Sequence, residues 1–159
     1  MSTLEISTAA QRLDIELIHR YLSEHSYWAK GIPRATVERS LANSLCFGGY
    51  LAGEQIAFAR VVSDYATFAY LADVFVLEAH RGQGHSKALM RAVMAHPQLQ
   101  GLRRFMLATA DAHTLYQSFG FAAPAKPQNL MERCFPDIYQ QPHKPSKPIP
   151  PPQKRRSGQ

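Results

Sequence analysis

Six residues, Arg81-Gly82-Gln83-Gly84-His85-Ser86, stand between an apolar run and an amphipathic helical pattern, and that placement suits them to hold a phosphate. Two glycines let the backbone curl so that successive N–H groups converge, and the helix that follows brings its positive dipole end to the same point. Neither the GxxxxGK[ST] spacing of nucleotide-hydrolysing loops nor the third glycine of the dinucleotide fingerprint is present. ATP hydrolysis and NAD binding therefore lose ground, while a purely structural glycine turn stays open. A second feature is Asp73, the one acid in the middle of an otherwise apolar stretch. A carboxylate inside a central strand needs a partner or a task. His80, His85 and His113 read as solvated loop residues, and neither they nor the cysteines show metal-ligand spacing. No metal site is expected, and Cys46 and Cys134 read as buried filler.

The elements that must position these residues follow from periodicity. Leu4 to Ser7 predicts a short first strand. Asp14 is placed to cap a helix carrying Ile15, Ile18, Tyr21 and Leu22, and after Gly31-Ile32-Pro33 a second helix is expected with Thr36 as its cap. LCFGGYL and IAFARVV, separated by Ala52-Gly53-Glu54-Gln55, read as a hairpin, and Phe68 to Leu77 reads as a central strand. The glycine loop opens into a helix with Leu89, Met90, Val93 and Met94 on one stripe. Phe105, Leu107 and Thr109 alternate in a further strand, Asp111 is expected to cap a brief helix through Leu115 and Phe119, and Asn129 to Phe135 is expected to form the last strand, where Glu132 and Arg133 would pair. This order gives an α/β fold with a mixed sheet, antiparallel in its front half and closed by a parallel crossover, flanked by helices.

The chain has 159 residues, 45% apolar and 19% charged, which suits one compact domain. Its net charge of +6 is unevenly spread, because residues 141–159 hold five basic residues and no acid, together with six of the eleven prolines. The body is taken as 1–137 and the Pro-rich basic remainder, 138–159, as a disordered tail. Without interleaved aromatics that tail makes nucleic acid an unexpected partner. No run of about 18 apolar residues and no leader-like N-terminus is visible, so neither membrane insertion nor secretion is expected, and a cytoplasmic setting is the default.

The run DVFVLEAHRGQGHSKALM, followed about 30 residues later by LYQSFGF, resembles the Gcn5-related N-acetyltransferase (GNAT) family, whose acetyl-CoA loop reads [QR]xxGx[GA]. Arg81 and Gly84 match the first and fourth positions, and Ser86 departs from the small residue usual at the sixth. The resemblance covers roughly residues 4 to 135 and implies a sheet whose central strands splay. It implies that the backbone of Val74, Phe75 and Val76 pairs with the pantetheine arm, that Arg81, Gly82, Gln83, Gly84, His85, Ser86 and Lys87 surround the pyrophosphate, and that Thr109 stands where an asparagine often meets pantetheine. Tyr116 takes the position of the tyrosine that donates a proton to the departing thiolate, a role suited to a phenol that stays protonated at neutral pH.

The run YLADVFV is similar to a strand of polyamine acetyltransferases, in which a glutamate precedes the aspartate as proposed base. Ala72 stands there in this chain, so Asp73 is expected to bind the cationic acceptor, to organise a proton-relaying water, or to serve as a structural acceptor of hydrogen bonds. Tyr27 and Trp28 are expected either to form an aromatic wall at the acceptor end or to anchor their loop as hydrophobic side chains, and Arg60 and Asp64 are further candidates for selecting a carboxylate or an amine. The function implied is acetyl-CoA-dependent transfer of acetyl to a primary amine of a small molecule by direct attack in a ternary complex. Acetylation of a protein lysine or N-terminus and a non-catalytic acyl-CoA sensor are the alternatives, and a homodimer is left open.

Overall fold

In the computed structural model, which describes residues 3–140, five strands form one sheet in the order β1-β2-β3-β4-β5. These are β1 (Glu5–Ser7), β2 (Leu45–Leu51), β3 (Glu54–Ser63), β4 (Phe68–Val76) and β5 (Arg104–Leu107). The first four run antiparallel to their neighbours, and β5 is parallel to β4 through the crossover helix α3. Helices α1 (Ile15–Arg20), α2 (Arg34–Ala42), α3 (His85–Ala95) and α4 (His113–Gln117) complete the order.

The alternation of the strands explains the two cores. Phe47, Ala57, Ala59, Val61 and Leu71 face α3, whose stripe Leu89, Met90 and Val93 is fully buried against them. Cys46, Phe58 and Phe75 face the other way, where Ile18, Leu22 and Val37 of the α1 and α2 region cover them. Period-2 strands between helices of period 3.6 bury one stripe of each helix and both faces of the sheet.

Asp14 caps α1 as expected, its Oδ1 accepting from the Leu17 N–H at 3.0 Å. The α1 helix then widens into a π-turn over Tyr21–His25. The α2 helix starts one turn earlier than the cap assigned to Thr36. Pro33 is its N-cap, because a proline has no N–H to satisfy and its φ of −66° already suits the helix entry.

The expected last strand is absent. Among the described residues the run Asn129 to Phe135 has no ladder partner, and Glu132 and Arg133 form no ion pair. Extended propensity becomes a strand only where an edge pairs with it, and after Pro124 and Pro127 this run stands clear of the sheet. Cys134 lies on it and is exposed, contrary to its reading as filler, whereas Cys46 is buried. Further on, Tyr139 packs back against the α1 and α2 core.

The β2–β3 turn places two residues in the left-handed region, Ala52 at φ 49° and Gly53 at φ 82°. Glycine accepts this freely, but an alanine does so at a cost of about 1–2 kcal/mol. Ala52→Asn, at an exposed position, is expected to stabilise the protein by about 0.5–1 kcal/mol, read as a rise of roughly 1–4 °C in thermal midpoint.

Candidate active site

The site begins with a one-residue irregularity in β4. Phe58 of β3 pairs with Phe75, but Arg60, two residues on, pairs with Ala72, so β4 carries one extra residue opposite β3. The bulge lies at Asp73, whose φ of 56° is left-handed, a conformation that aspartate tolerates better than most side chains. The bulge bends the strand. The ladder to β5 runs from Phe68 with Arg104 to Leu71 with Leu107, and beyond it no strand among the described residues pairs with β4 on that side. The result is a cleft of about 1030 Å³ whose walls include Val74, Val76, Thr109 and Tyr116.

Asp73 is held at both oxygens. Trp28 donates from Nε1 to Oδ1 at 2.7 Å, and Arg60 donates from Nε to Oδ2 at 2.8 Å. Arg60 also donates from Nη1 to the Ser44 hydroxyl at 3.0 Å, and that hydroxyl donates to the carbonyl of Ser40. Both members of the ion pair are largely enclosed, so the carboxylate is fixed in direction and matched in charge. Asp64, the other acid considered near this strand, is not in the cleft lining. It accepts from the N–H groups of Ala66, Thr67 and Phe68 and from the Thr67 hydroxyl, which hold its carboxyl well below the usual range. Its work is to shape the β3–β4 turn.

The aromatic pair expected as a wall spans the cleft. Trp28 bonds Asp73 on β4, while the Tyr27 hydroxyl accepts from the Ala110 N–H just past β5 at 3.1 Å. Their rings meet edge to face at 5.0 Å. Two neighbouring residues of one loop thus tie together the strands that the bulge separates.

At the end of β4, Gly82 and Gly84 have φ of 75° and 80°, and a Cβ at either would meet no atom within 4 Å. Glycine is needed here for backbone conformation rather than for space. The N–H groups of residues 82–87 donate to no acceptor within the described chain, and Gly84 caps α3 without a side-chain bond. A free row of donors at the positive end of an eleven-residue helix fits a pyrophosphate. Gly82, Gly84, His85, Ser86 and Lys87 line a recess there of about 280 Å³. Gln83 lies on the exposed loop. Arg81 turns back instead, donating from Nε to the Val76 carbonyl and from Nη2 to the Tyr21 hydroxyl, each at 3.0 Å. Tyr21 in turn stacks on Phe75 with ring centres 3.9 Å apart. Arg81 therefore braces the root of the loop and occupies one backbone acceptor at Val76.

Tyr116 on α4 is buried at the β5 side of the gap. Burial, then the nearby Tyr27 and Asp111, push its phenol up to about 12. The cap assigned to Asp111 is not made: Ala112 is the N-cap of α4 and no side chain caps it, while the Thr109 hydroxyl accepts from the Ala112 N–H at 3.0 Å in the turn before the helix. Asp111 is left exposed on the cleft rim. His113 is exposed. Arg60, unoriented by sequence, could have been placed by counting the β3–β4 register back from their turn. Tyr21 and Tyr139 in the lining gave no local signal. Among the described residues no group of three or more His, Cys, Asp or Glu could hold a metal ion, and no helix is long and apolar enough to cross a membrane.

Comparison with known proteins matches this geometry to a family. The model of the acetyltransferase (GNAT) family matches residues 15–121. A Gibberella zeae protein named as an acetyltransferase is 31% identical over 133 residues, which is 70% of this chain and 74% of that protein. A crystal structure from Xanthomonas campestris pv. campestris, described as an acetyltransferase of the GNAT family, is 62% identical, with a TM-score of 0.87 over 89% of this chain and 99% of that one. A Staphylococcus aureus structure shares the fold at 22% identity, with a TM-score of 0.64 over 84% of this chain and 99% of that one. The chain, with its bulged central strand and its glycine turn feeding α3, belongs to the GNAT family of acetyltransferases.

Proposed function

We propose that this acetyltransferase uses acetyl-CoA and passes the acetyl group to a primary amine of a small molecule by direct attack in a ternary complex. The observation that carries this reading is the adjacency of the cleft that holds the unpaired edge of β4 and the Tyr116 phenol to the recess under the free N–H row of residues 82–87, the two sharing Val76, Arg81, Ser86 and Leu115 in their walls. Acetyl-CoA is a co-substrate that supplies an activated acyl thioester. The chain's part is to hold and orient it, with the glycine turn taking the pyrophosphate and Val74 to Val76 offering strand-like backbone groups to the pantetheine. Holding thioester and amine together removes most of the entropic cost of a two-body reaction.

The amine reaches the site largely as ammonium and gives up a proton before it attacks. Asp73 is poorly suited to take that proton itself, since each oxygen already accepts from a fixed donor. Its role in this reading is to hold the bulge and to present negative charge near the ammonium, while solvent in the open cleft carries the proton away. As the carbon–sulfur bond breaks, Tyr116 meets the developing thiolate. A phenol at about 12 is a weaker acid than a thiol, ordinarily near 8.5. Tyr116 therefore stabilises the sulfur chiefly as a hydrogen-bond donor, and net protonation follows from the proton the amine released. Tyr27 and Trp28, by crossing the cleft, give its acceptor end an aromatic rim, which supports a compact acceptor over a folded protein surface.

The test is thiol release from acetyl-CoA over a panel of polyamines, amino acids, aromatic amines and peptides; release with small amines and none with peptides is expected, and the reverse pattern would overturn the acceptor class. With the best amine, Tyr116→Phe is expected to lower kcat by about 10²-fold with little change in the KM for acetyl-CoA, and unchanged turnover at saturation would remove Tyr116 from the mechanism. Asp73→Asn keeps a residue that accepts the left-handed backbone but discharges the partner of Arg60. It is expected to lower stability by about 2 kcal/mol in urea unfolding and kcat by only about 10-fold. A fall above 10³-fold with stability intact would instead mark Asp73 as the base.

A further inference from the structure

Arg60 has more hydrogen-bonding capacity than its structural task uses. A guanidinium carries five N–H donors in a fixed fork. Among the described residues Arg60 makes two bonds, from Nε to Asp73 and from Nη1 to the Ser44 hydroxyl, and Nη2 has no acceptor. Nη2 is not sealed off either, since the one buried side-chain nitrogen or oxygen without a partner among the described residues is His85 Nε2. The Arg60 side chain is 17% exposed, and the residue lines the cleft together with Asp73 and Trp28. A charged donor is thus left over at the cleft wall, which neutralising Asp73 alone would not require.

The surroundings of Arg60 hold no other acid. In the sheet register Arg60 stands opposite Cys46 on β2 and Ala72 on β4, and ladder partners share a face. Cys46 packs into the α1 and α2 core, so Arg60 looks toward that layer, where Thr36 and Ser40 of α2 wall the cleft. The acids in the cleft lining are Asp73, already paired with Arg60, and Asp111 on the rim past β5. Ala72, directly across from Arg60, leaves only a methyl group beside the guanidinium.

The charge balance names a ligand for the spare donor. In the reading given above, the acceptor's ammonium comes to lie near Asp73. Asp73 and Arg60 already neutralise one another, so a simple ammonium brings an uncompensated positive charge into a partly enclosed place. A second ammonium on the same molecule would meet the guanidinium. An amine that carries its own carboxylate adds no net charge, and its two ends match the two members of the ion pair in reverse order. We propose that the acceptor is of the amino acid type, a primary amine with a carboxylate a few atoms from the nitrogen, and that Arg60 binds this carboxylate through Nη2. Arg60 then sets specificity as well as bracing Asp73. The inference rests on the small-amine reading and narrows it.

Thiol release from acetyl-CoA is measured over the same amine panel, and the best amino acid is compared with its primary amide and with the decarboxylated amine. The acid is expected to exceed both in kcat/KM by at least about 30-fold, mostly through KM. The amide is the sharper comparison, because its amine is less basic than that of the acid and more of it is free to attack. Calorimetric titration with the N-acetylated acid and the N-acetylated amide repeats the comparison without turnover, and the acid is expected to bind at least about 10-fold more tightly. Ala72→Glu puts a carboxylate across from Arg60 and is expected to bring acid and amide within about 3-fold of each other. Arg60→Lys keeps a cation for Asp73 but loses the fork, and is expected to lower the acid-to-amide ratio in the same direction. Circular dichroism and an unchanged KM for acetyl-CoA check that each variant is folded. Equal use of acid and amide, a best acceptor without a carboxylate, or a preference for the acid that survives both substitutions overturns the assignment and leaves the small-amine reading standing. Release with peptides alone, or with no amine, overturns that reading and this one with it.

Discussion

A single extra residue in β4, kept in place by a carboxylate with two fixed donors, is the constraint from which the site follows. Without the bulge at Asp73, β4 would continue alongside β5, and the backbone groups that now line the cleft would be used up in a ladder. Strain in the left-handed aspartate is offset by the Arg60 and Trp28 hydrogen bonds, which come from two different parts of the fold, β3 and the loop between α1 and α2. The bulge is thus the meeting point of the hairpin and the helical layer.

The two ends of the cleft use different physics. At the glycine turn the useful groups are backbone N–H donors at the positive end of α3, and side chains matter chiefly by staying out of the way or by bracing, as Arg81 does through Val76 and Tyr21. At the other end burial keeps a phenol neutral, and in the proposed reaction it faces the place where negative charge forms. A pyrophosphate arrives already charged and needs permanent donors; a thiolate is transient and needs a donor that does not ionise first.

Local chemistry in the sequence was legible. The glycine turn, the stripe of α3, the hairpin and the cap at Asp14 each depend on residues within a few positions of one another, and each stands where periodicity places it. What failed depended on distant partners. Asn129 to Phe135 has the composition of a strand but no edge within the described chain, and α4 starts one residue later than the Asp111 cap requires, with Ala112 as its N-cap, because the folded loop sets where the helix begins. The Asp73 carboxylate was visible as an oddity, yet its donors lie 13 and 45 positions away. A composition-based reading finds the acid without finding what neutralises it.

The crossing made by Tyr27 and Trp28 separates two duties that many enzymes entangle. In the proposed reaction acyl delivery rests on β4, α3 and α4, whereas the rim around the incoming nucleophile is formed by one short loop, which is clamped at two points. Changes elsewhere on that loop can reshape the doorway without touching the machinery behind it. A lineage built on this plan can trade one acceptor for another by altering a few surface positions, and its diversity should accumulate there rather than in the sheet.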